Sequence, residues 1–581
     1  MSLQYQLIQP RNPKLSPIEQ IFANRGIIGK ENINHYLHTT KDDLIAPERL
    51  MNVREGATML IKHIKAQDKI LIQVDSDCDG YTSAALLINY LNCLFPAYVQ
   101  NNITYRVHDD KSHGLKLNTI PKDIKLVIAP DSSSNDYDVH KQLAERGCDV
   151  LVIDHHLADH VSEYACIINN QMCDYPTKSL SGAGVVYKFC AYLDKLLGID
   201  YSESFMDLAA VGIIADIMNL NSYEVRFIIE QGLQNITNPF LKEMVKKQEF
   251  KVQGSLNPFK VAFYIAPFIN AINRSGNAQE RLLLFESMLT FRAYEQIPST
   301  KRGEKGMTEM RVEQAVRTCG NVKRHQEKDR DDIKAIVEKI IADNCLYDHV
   351  LIAVKMPKEK AADKNLTGLI ATQIANYWRH PTAILNEVER DGVKYWEGSM
   401  RGAPHIPITD TRQMFLDSGL VEYCEGHANA GGVSIKDENF TKLINYLDEK
   451  YADIDFSPCY FVDLELHRTD DNLEQTILDI GALYDYWGQG VAEPLVAITN
   501  VNVTADNVNL YKANTLHISF GDLSFIKFKV SDEEYENLHD TMGGHELTII
   551  GECKINNYGG YEKPQVEIKD YYVTRNWPYY F

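Results

Sequence analysis

The sequence predicts a multidomain α/β protein: a parallel-sheet domain first, then a helical connector, a second α/β domain and a small β-barrel-like tail. Three observations predict it. At 581 residues the chain exceeds what one ordinary core supports, so three or more domains are expected. KILIQVD, IKLVIAPD and CDVLVID are almost unbroken apolar runs with helical patterns between them, as in strands buried on both faces. After about residue 455 the pattern turns to alternating strands separated by polar turns.

Around 300 to 345 the strand signal stops. MTEMRVEQAVRTCGNVKRHQEKDRDDIKAIVEKIIADN is charged and helix-favouring, with apolar residues at helical spacing near its end. It reads as a connector whose Lys323 and Arg324 lie on a solvated face. HVLIAVKM, PTAIL and GGVSI then restore an α/β pattern. PLVAITNVNVTA, TLHISFG, LSFIKFKV, ELTIIGECKI and QVEIKDYYV suggest a small barrel or sandwich.

Composition narrows the class. With 44% hydrophobic and 24% charged residues the chain is globular, and no apolar run is long enough for a bilayer span. The opening MSLQYQLIQPRNPK shows no signal-peptide core, and eleven cysteines lack zinc spacing. Reduced thiols in a cytoplasm, of a bacterium or of an infected host, are therefore expected. A net charge of −20 argues against indiscriminate coating of nucleic acid and leaves a local basic groove open.

The chemistry gathers at the strand ends. ILIQVDSDCDGYTS crowds Asp75, Asp77 and Asp79 behind a buried strand. Carboxylates about 4 Å apart repel by roughly 1 kcal/mol in water and about 4 kcal/mol at a protein-like dielectric, so a cation is expected among them. One strand-end Asp usually caps the next helix. Three in succession, Asp75, Asp131 and Asp154, point to a site, because open α/β sheets bind ligands at the carboxyl ends of their strands. VLVIDHHLADH adds His155 and His156 to Asp154, and DLAAVGIIADIMNL sets Asp216 in an apolar context where it needs a metal or a buried cation. Several Asp plus His fit manganese, with magnesium the alternative, better than calcium or structural zinc. Two ions about 3.5–4 Å apart would support phosphoester hydrolysis.

These residues amount to a resemblance. DSDCDG, the strand end at Asp131, DHH at Asp154 to His156, and GIIADIMNL resemble the four motifs of the DHH phosphoesterases. YIAPFINAINRSGNAQ, GSMRGAP, EGHANAGG and YDYWGQGVAEPLV with its β-rich sequel further resemble the RecJ-type single-strand exonucleases, from about residue 15 to nearly the end. The resemblance implies an N-terminal segment (1–45), a DHH catalytic domain (46–230), a helical region and connector (231–345), a DHH-associated substrate-binding domain (346–454) and an OB-like nucleic-acid-binding domain (455–581).

It also implies roles. Asp77, Asp79, Asp131, His155, His156 and Asp216 would hold two Mn2+ or Mg2+ ions, with Asp154 a ligand or a partner orienting a histidine. Asp75 is expected to support the site. Gln73 stands where many members place a histidine ligand, so one metal position is expected to be altered. Gly80 would let the chain turn into a helix from about Thr82. Ser399 and Arg401 would bind a substrate phosphate, the terminal 5′ phosphate, for which the planar guanidinium fork is suited. Arg274 would line the nucleic-acid path, and His427 would approach the scissile phosphate beside Gly426, Gly431 and Gly432, which permit close backbone approach. Phe268 and Asn273 depart from the Arg and Gly usual in the family, and Val491 and Ala492 from an Asn-Pro pair.

The implied activity is 5′ to 3′ hydrolysis of single-stranded DNA to mononucleotides by a monomer, without a membrane, alongside single-strand-binding protein or helicases. One alternative is a DHH phosphodiesterase of short oligonucleotides or cyclic dinucleotides, which would not need the tail after 455. The other is an inactive DHH scaffold of a replication complex, against which the six retained ligands weigh.

Overall fold

The computed structural model describes residues 4–109, 112–304, 306–512, 514–539, 543–558 and 560–578. The chain forms two compact units. One comprises Gly29–His325 with Asp485–Ala492, the other Met1–Ile28, Gln326–Tyr484 and Glu493–Phe581. No helix among the described residues is long and apolar enough to cross a membrane.

The first unit is built on a five-stranded sheet of β1 (Ile70–Val74), β2 (Ile103–Val107), β3 (Leu126–Pro130), β4 (Asp149–Asp154) and β5 (Cys166–Asn169). All neighbours are parallel, in the order β2-β1-β3-β4-β5. Alternation along each strand feeds two cores. Ile70, Ile72, Leu126, Ile128, Leu151 and Ile153 enter one, while Leu71, Val127, Val150 and Val152 enter the other. Both faces are therefore dry, which is why these strands read as continuous apolar runs. The two edge strands escape that reading: ITYRV is half exposed and CIIN is short.

The larger core is closed by helices. Among them are α1 (Cys78–Leu94), α2 (Gly182–Leu197), α3 (Met206–Ala215) and α4 (Ala266–Ser275). Helix α1 starts at Cys78, not near Thr82, because Asp77 caps it by accepting the Gly80 N–H at 2.9 Å. Gly80 therefore lies inside the first turn rather than in a turn before it. Its value is space, since a Cβ there would sit 2.6 Å from Asp75 Cβ. The late segment Asp485–Ala492 packs beside the loop after α3. Leu220 N–H donates to Gln489 O at 2.8 Å, and Arg226 lies 4.4 Å from the Tyr486 ring centre.

The connector contains one helix of 33 residues, α5 (Arg311–Asp343). In the second unit a five-stranded sheet combines β6 (Ile352–Lys355), β7 (Thr382–Arg390), β8 (Val393–Arg401), β9 (Tyr423–His427) and β10 (Ala430–Lys436) in the order β9-β10-β8-β7-β6. Helix α6 (Lys364–Trp378) packs on β7 and β8. Asp391 and Gly392, with φ of 52° and 76°, form the two-residue loop between β7 and β8, the left-handed pair that a type I′ hairpin turn requires. The tail supplies a seven-stranded sheet. It contains the five strands read from the sequence, Leu495–Thr504, Thr515–Phe520, Leu523–Phe528, Gly543–Asn556 and Lys563–Pro578, plus the short Leu464–His467 and Val508–Tyr511. The N-terminus joins this unit through Gln4–Leu7, parallel to Cys459–Val462, and through Arg25, whose Nη1 and Nη2 meet the two oxygens of Asp463 at 2.6 and 3.1 Å.

Leu151, fully buried on the interior strand β4, is the side chain on which this packing is most simply checked. Leu151→Ala is expected to cost the first unit about 3 kcal/mol in urea unfolding. A cost below about 1 kcal/mol would contradict a tightly packed interior strand.

Candidate metal centre and substrate sites

The strand order reverses between β1 and β3, so a crevice is expected at their carboxyl ends. The loop after β1 carries Asp75 and Asp77 there, and Asp131 follows β3 directly. Asp79 lies in the first turn of α1 and accepts from Ser181 Oγ at 2.8 Å, Gly182 N–H at 2.7 Å and Ala183 N–H at 3.1 Å. It is thereby held at the positive end of α2. Gly182 and Gly212 leave room for the carboxylates: a Cβ on the first would collide with Asp131, and on the second with Asp79. Asp131 adopts a left-handed backbone, φ 63°, with its N–H bonded to Ile153 O at 2.8 Å. Asp75 is turned to the loop before β3, accepting from His113 Nδ1 at 2.6 Å and Gly114 N–H at 3.2 Å.

Asp154, the last residue of β4, has both oxygens engaged. Oδ1 accepts from His155 N–H at 2.7 Å and His156 N–H at 3.2 Å and meets His156 Nδ1 at 2.8 Å, while Oδ2 accepts from Ser134 N–H at 3.1 Å. Its geometry is that of a carboxylate orienting His156, leaving that ring's Nε2 open. His155 Nε2 lies 3.2 Å from Asp131 Oδ1, 3.5 Å from Asp216 Oδ2 and 3.9 Å from Asp79 Oδ2. Asp216 arrives from the C-terminal end of α3. Four side chains from four elements therefore converge.

Their electrostatics are strained. Burial, then repulsion from Asp79 and Asp77, pushes Asp131 well above the usual carboxylate range and Asp216 up to about 8. Burial and Asp79 push Asp77 up to about 6. Burial would raise Asp154 as well, but its bonds to His156 and Ser134 outweigh it and hold that carboxyl at about 2. The same bond to Asp154 lifts His156 to about 9, whereas burial lowers His155. Asp131 Oδ1 and His155 Nε2 are buried and, though 3.2 Å apart, make no well-directed hydrogen bond. Carboxylate oxygens and an imidazole nitrogen crowded in this way fit the donor set of a divalent cation.

A cavity of about 270 Å³ opens on these groups, lined among others by Asp77, Asp79, His113, Asp216, Asn270 and Arg274. Arg274 is lowered by burial, against the pull of Asp77. Asn270, one turn earlier on α4, accepts the Cys78 N–H at 3.1 Å and ties α4 to the head of α1. Gln73 is fully buried in β1, and its Nε2 donates to Val74 O at 3.2 Å and Arg106 O at 3.1 Å, leaving Oε1 unpartnered. His113, Ser181 and Asn270 escaped the sequence reading. Each acts on a motif residue from far along the chain, and only SHG around His113 offers a local signal.

The remaining predicted residues lie in the second unit. Ser399 and Arg401 are on β8, and His427 ends β9. Arg401 pairs with Ala430, which pairs with His427, and Ser399 pairs with Gly432. Directly opposed residues share a face, so Ser399, Arg401 and His427 lie on one face, with His427 about 10 Å from Arg401 across two strand spacings. Ser399 Oγ meets Thr367 Oγ1 of α6 at 2.8 Å, and Arg401 Nη1 donates to Met400 O at 2.7 Å. Gly426, at φ 123°, would bring a Cβ within 2.6 Å of Ala430 O, and a Cβ on Gly431 would collide with Glu425 O, whereas Gly432 has space around it.

Residues 69–213 match the model of the DHH family, N-terminal domain, and residues 462–570 that of the RecJ OB domain. The putative single-strand DNA-specific exonuclease yorK of Bacillus phage SPbeta is 36% identical over 580 residues, 99% of both chains. The single-stranded-DNA-specific exonuclease RecJ of Bacillus subtilis is 24% identical, over 96% of this chain and 68% of that one. The crystal structure of RecJ in complex with Mn2+ from Thermus thermophilus superposes with a TM-score of 0.72 at 19% identity, covering 98% of this chain and 79% of that one. An ordered set of strand-end carboxylates and histidines, a matching OB segment and similarity along the whole chain lead to one assignment: this chain belongs to the RecJ-like single-strand-DNA-specific exonuclease family of the DHH superfamily.

Proposed function

We propose that this chain is a metal-dependent exonuclease that hydrolyses single-stranded DNA from the 5′ end to mononucleotides. The observation that carries the reading is the convergence of Asp79, Asp131 and Asp216 on His155, with Asp131 Oδ1 and His155 Nε2 buried and making no well-directed hydrogen bond. Asp77, Asp79, Asp131, His155, His156 and Asp216 would hold two Mn2+ or Mg2+ ions. Bound there, such ions activate water and neutralise the charge of a phosphoryl group.

The chain's own residues prepare the rest. Asp154 fixes the His156 ring, and the head of α2 fixes Asp79, so neither side chain needs to reorganise when substrate arrives. Arg274 offers a fixed positive charge to a backbone phosphate in the cavity wall. Ser399 and Arg401 supply a hydroxyl and a guanidinium for the terminal 5′ phosphate, with His427 on the same face for the scissile one. The tail exposes Tyr511, Phe528, Tyr558 and Tyr561, aromatic faces on which unpaired bases stack. The 5′ polarity, a monomeric state and the domain boundaries at 46, 231, 346 and 455 belong to the same proposal. The stacking surface favours long strands over dinucleotides as substrate.

Purified protein with Mn2+ should release mononucleotides from end-labelled single strands, the 5′ label first. Asp79→Ala and His155→Ala should lose more than about a hundredfold in rate, and Asp154→Asn about ten- to a hundredfold through His156 alone. Equal rates in all three variants would refute the site, and release confined to dinucleotides would favour the small-substrate reading. Titration supplies a second check. Asp216 at about 8 and His156 at about 9 hold protons that the unfolded chain gives up at lower pH. The metal-free fold therefore binds more protons than the unfolded chain and loses stability as pH rises from about 7 to 9. Mn2+ should raise the melting temperature more at pH 8.5 than at 6.5, and an equal rise at both would contradict this charge arrangement.

A further inference from the structure

Asn273 lies on α4, three residues after Asn270 and one before Arg274, so the three share a helix face. It lines the same cavity as Asp77, Asp79, Asp216 and Arg274. Only 1% of the residue is exposed, and both its Oδ1 and Nδ2 are buried without a hydrogen-bonding partner. Its backbone is not the cause, because its carbonyl accepts from Arg281 Nη2 at 3.1 Å and the helix is otherwise regular. A carboxamide with both atoms unmet is costly in a closed wall and is retained where a ligand completes it.

The chemistry of the surroundings selects that ligand. Arg274, the next residue, brings a guanidinium suited to phosphate oxygens. The facing carboxylates leave no place for another anionic side chain, and a neutral amide adds a donor without adding charge. Resting on the exonuclease reading, we propose that Asn273 contacts the substrate directly. Its Nδ2 donates to a non-bridging oxygen of the backbone phosphate that Arg274 holds, and its Oδ1 accepts from a water beside that phosphate. Asn273 then helps to set how tightly a strand is held for cleavage, as a substrate contact and not as a metal ligand.

The test uses the full chain with saturating Mn2+ and a 5′-phosphorylated single strand, with kcat and KM resolved separately and Mn2+ affinity measured by calorimetry without DNA. Asn273→Ala should lower kcat/KM about tenfold or more, the cost of losing a hydrogen bond to a charged group. The loss should fall mainly on KM, with Mn2+ affinity and melting temperature near those of the parent. Asn273→Asp should lose more than Asn273→Ala, because a carboxylate would face the phosphate. Asn273→Ser, smaller yet still a donor, should keep part of the lost affinity and stands in if the alanine variant misfolds. A parent that digests strands alongside an Asn273→Ala variant with the same kcat/KM would overturn this inference alone. Tighter Mn2+ binding in Asn273→Asp would overturn it by making residue 273 face the ion. A parent that digests nothing would overturn the exonuclease reading as well.

Discussion

The structure turns on packing like charges into one crevice. Asp75, Asp77, Asp79, Asp131 and Asp216 gather at the carboxyl edge of a parallel sheet, and each close pair repels by about 4 kcal/mol at 4 Å in a protein-like dielectric. Two devices offset this within the chain. The head of α2 satisfies Asp79, and His156 with the Ser134 N–H satisfies Asp154, which is why Asp154 stays ionised. Burial and mutual repulsion drive Asp131 and Asp216 toward their neutral forms. That state costs little without a cation and yields readily to one, which is what a site that must load a metal requires.

Everything around the crevice serves its precision. The sheet is dry on both faces, so β1, β3 and β4 cannot slip without exposing a core. Rigid strands then set where Asp75, Asp131 and Asp154 emerge. Helices α1, α2 and α3 come close enough to touch the carboxylates because glycines stand at the contacts. Asn270 locks α4 to the head of α1, which places Arg274 over the same cavity. The Asp485–Ala492 segment packs beside the loop that follows Asp216, so the chain returns late in its sequence to brace the site.

Much of this was legible in the sequence where the physics is local. Buried strands announce themselves by unbroken apolar runs, and a strand-end Asp followed by Gly or His is a local pattern. Legibility failed where the cause lies elsewhere in the chain. The edge strand ITYRV is half exposed and carries no pattern. The start of α1 was misplaced because the capping role of Asp77 competed with its candidacy as a ligand. His113 and Ser181 matter only because folding carries them to Asp75 and Asp79. Gln73 stood out as a departure, but the hydrogen bond of its amide to Arg106 O depends on β2 lying alongside.

The most direct measurement is the proton count on Mn2+ binding. Titration calorimetry at pH 7, in buffers of different ionisation enthalpy, gives both the ions bound and the protons released per chain. Two bound ions and release of more than one proton are expected, because Asp216 at about 8 and His156 at about 9 hold protons at that pH until a cation displaces them. Saturable binding without proton release, or no saturable binding, would contradict a crevice of crowded carboxylates built for metal.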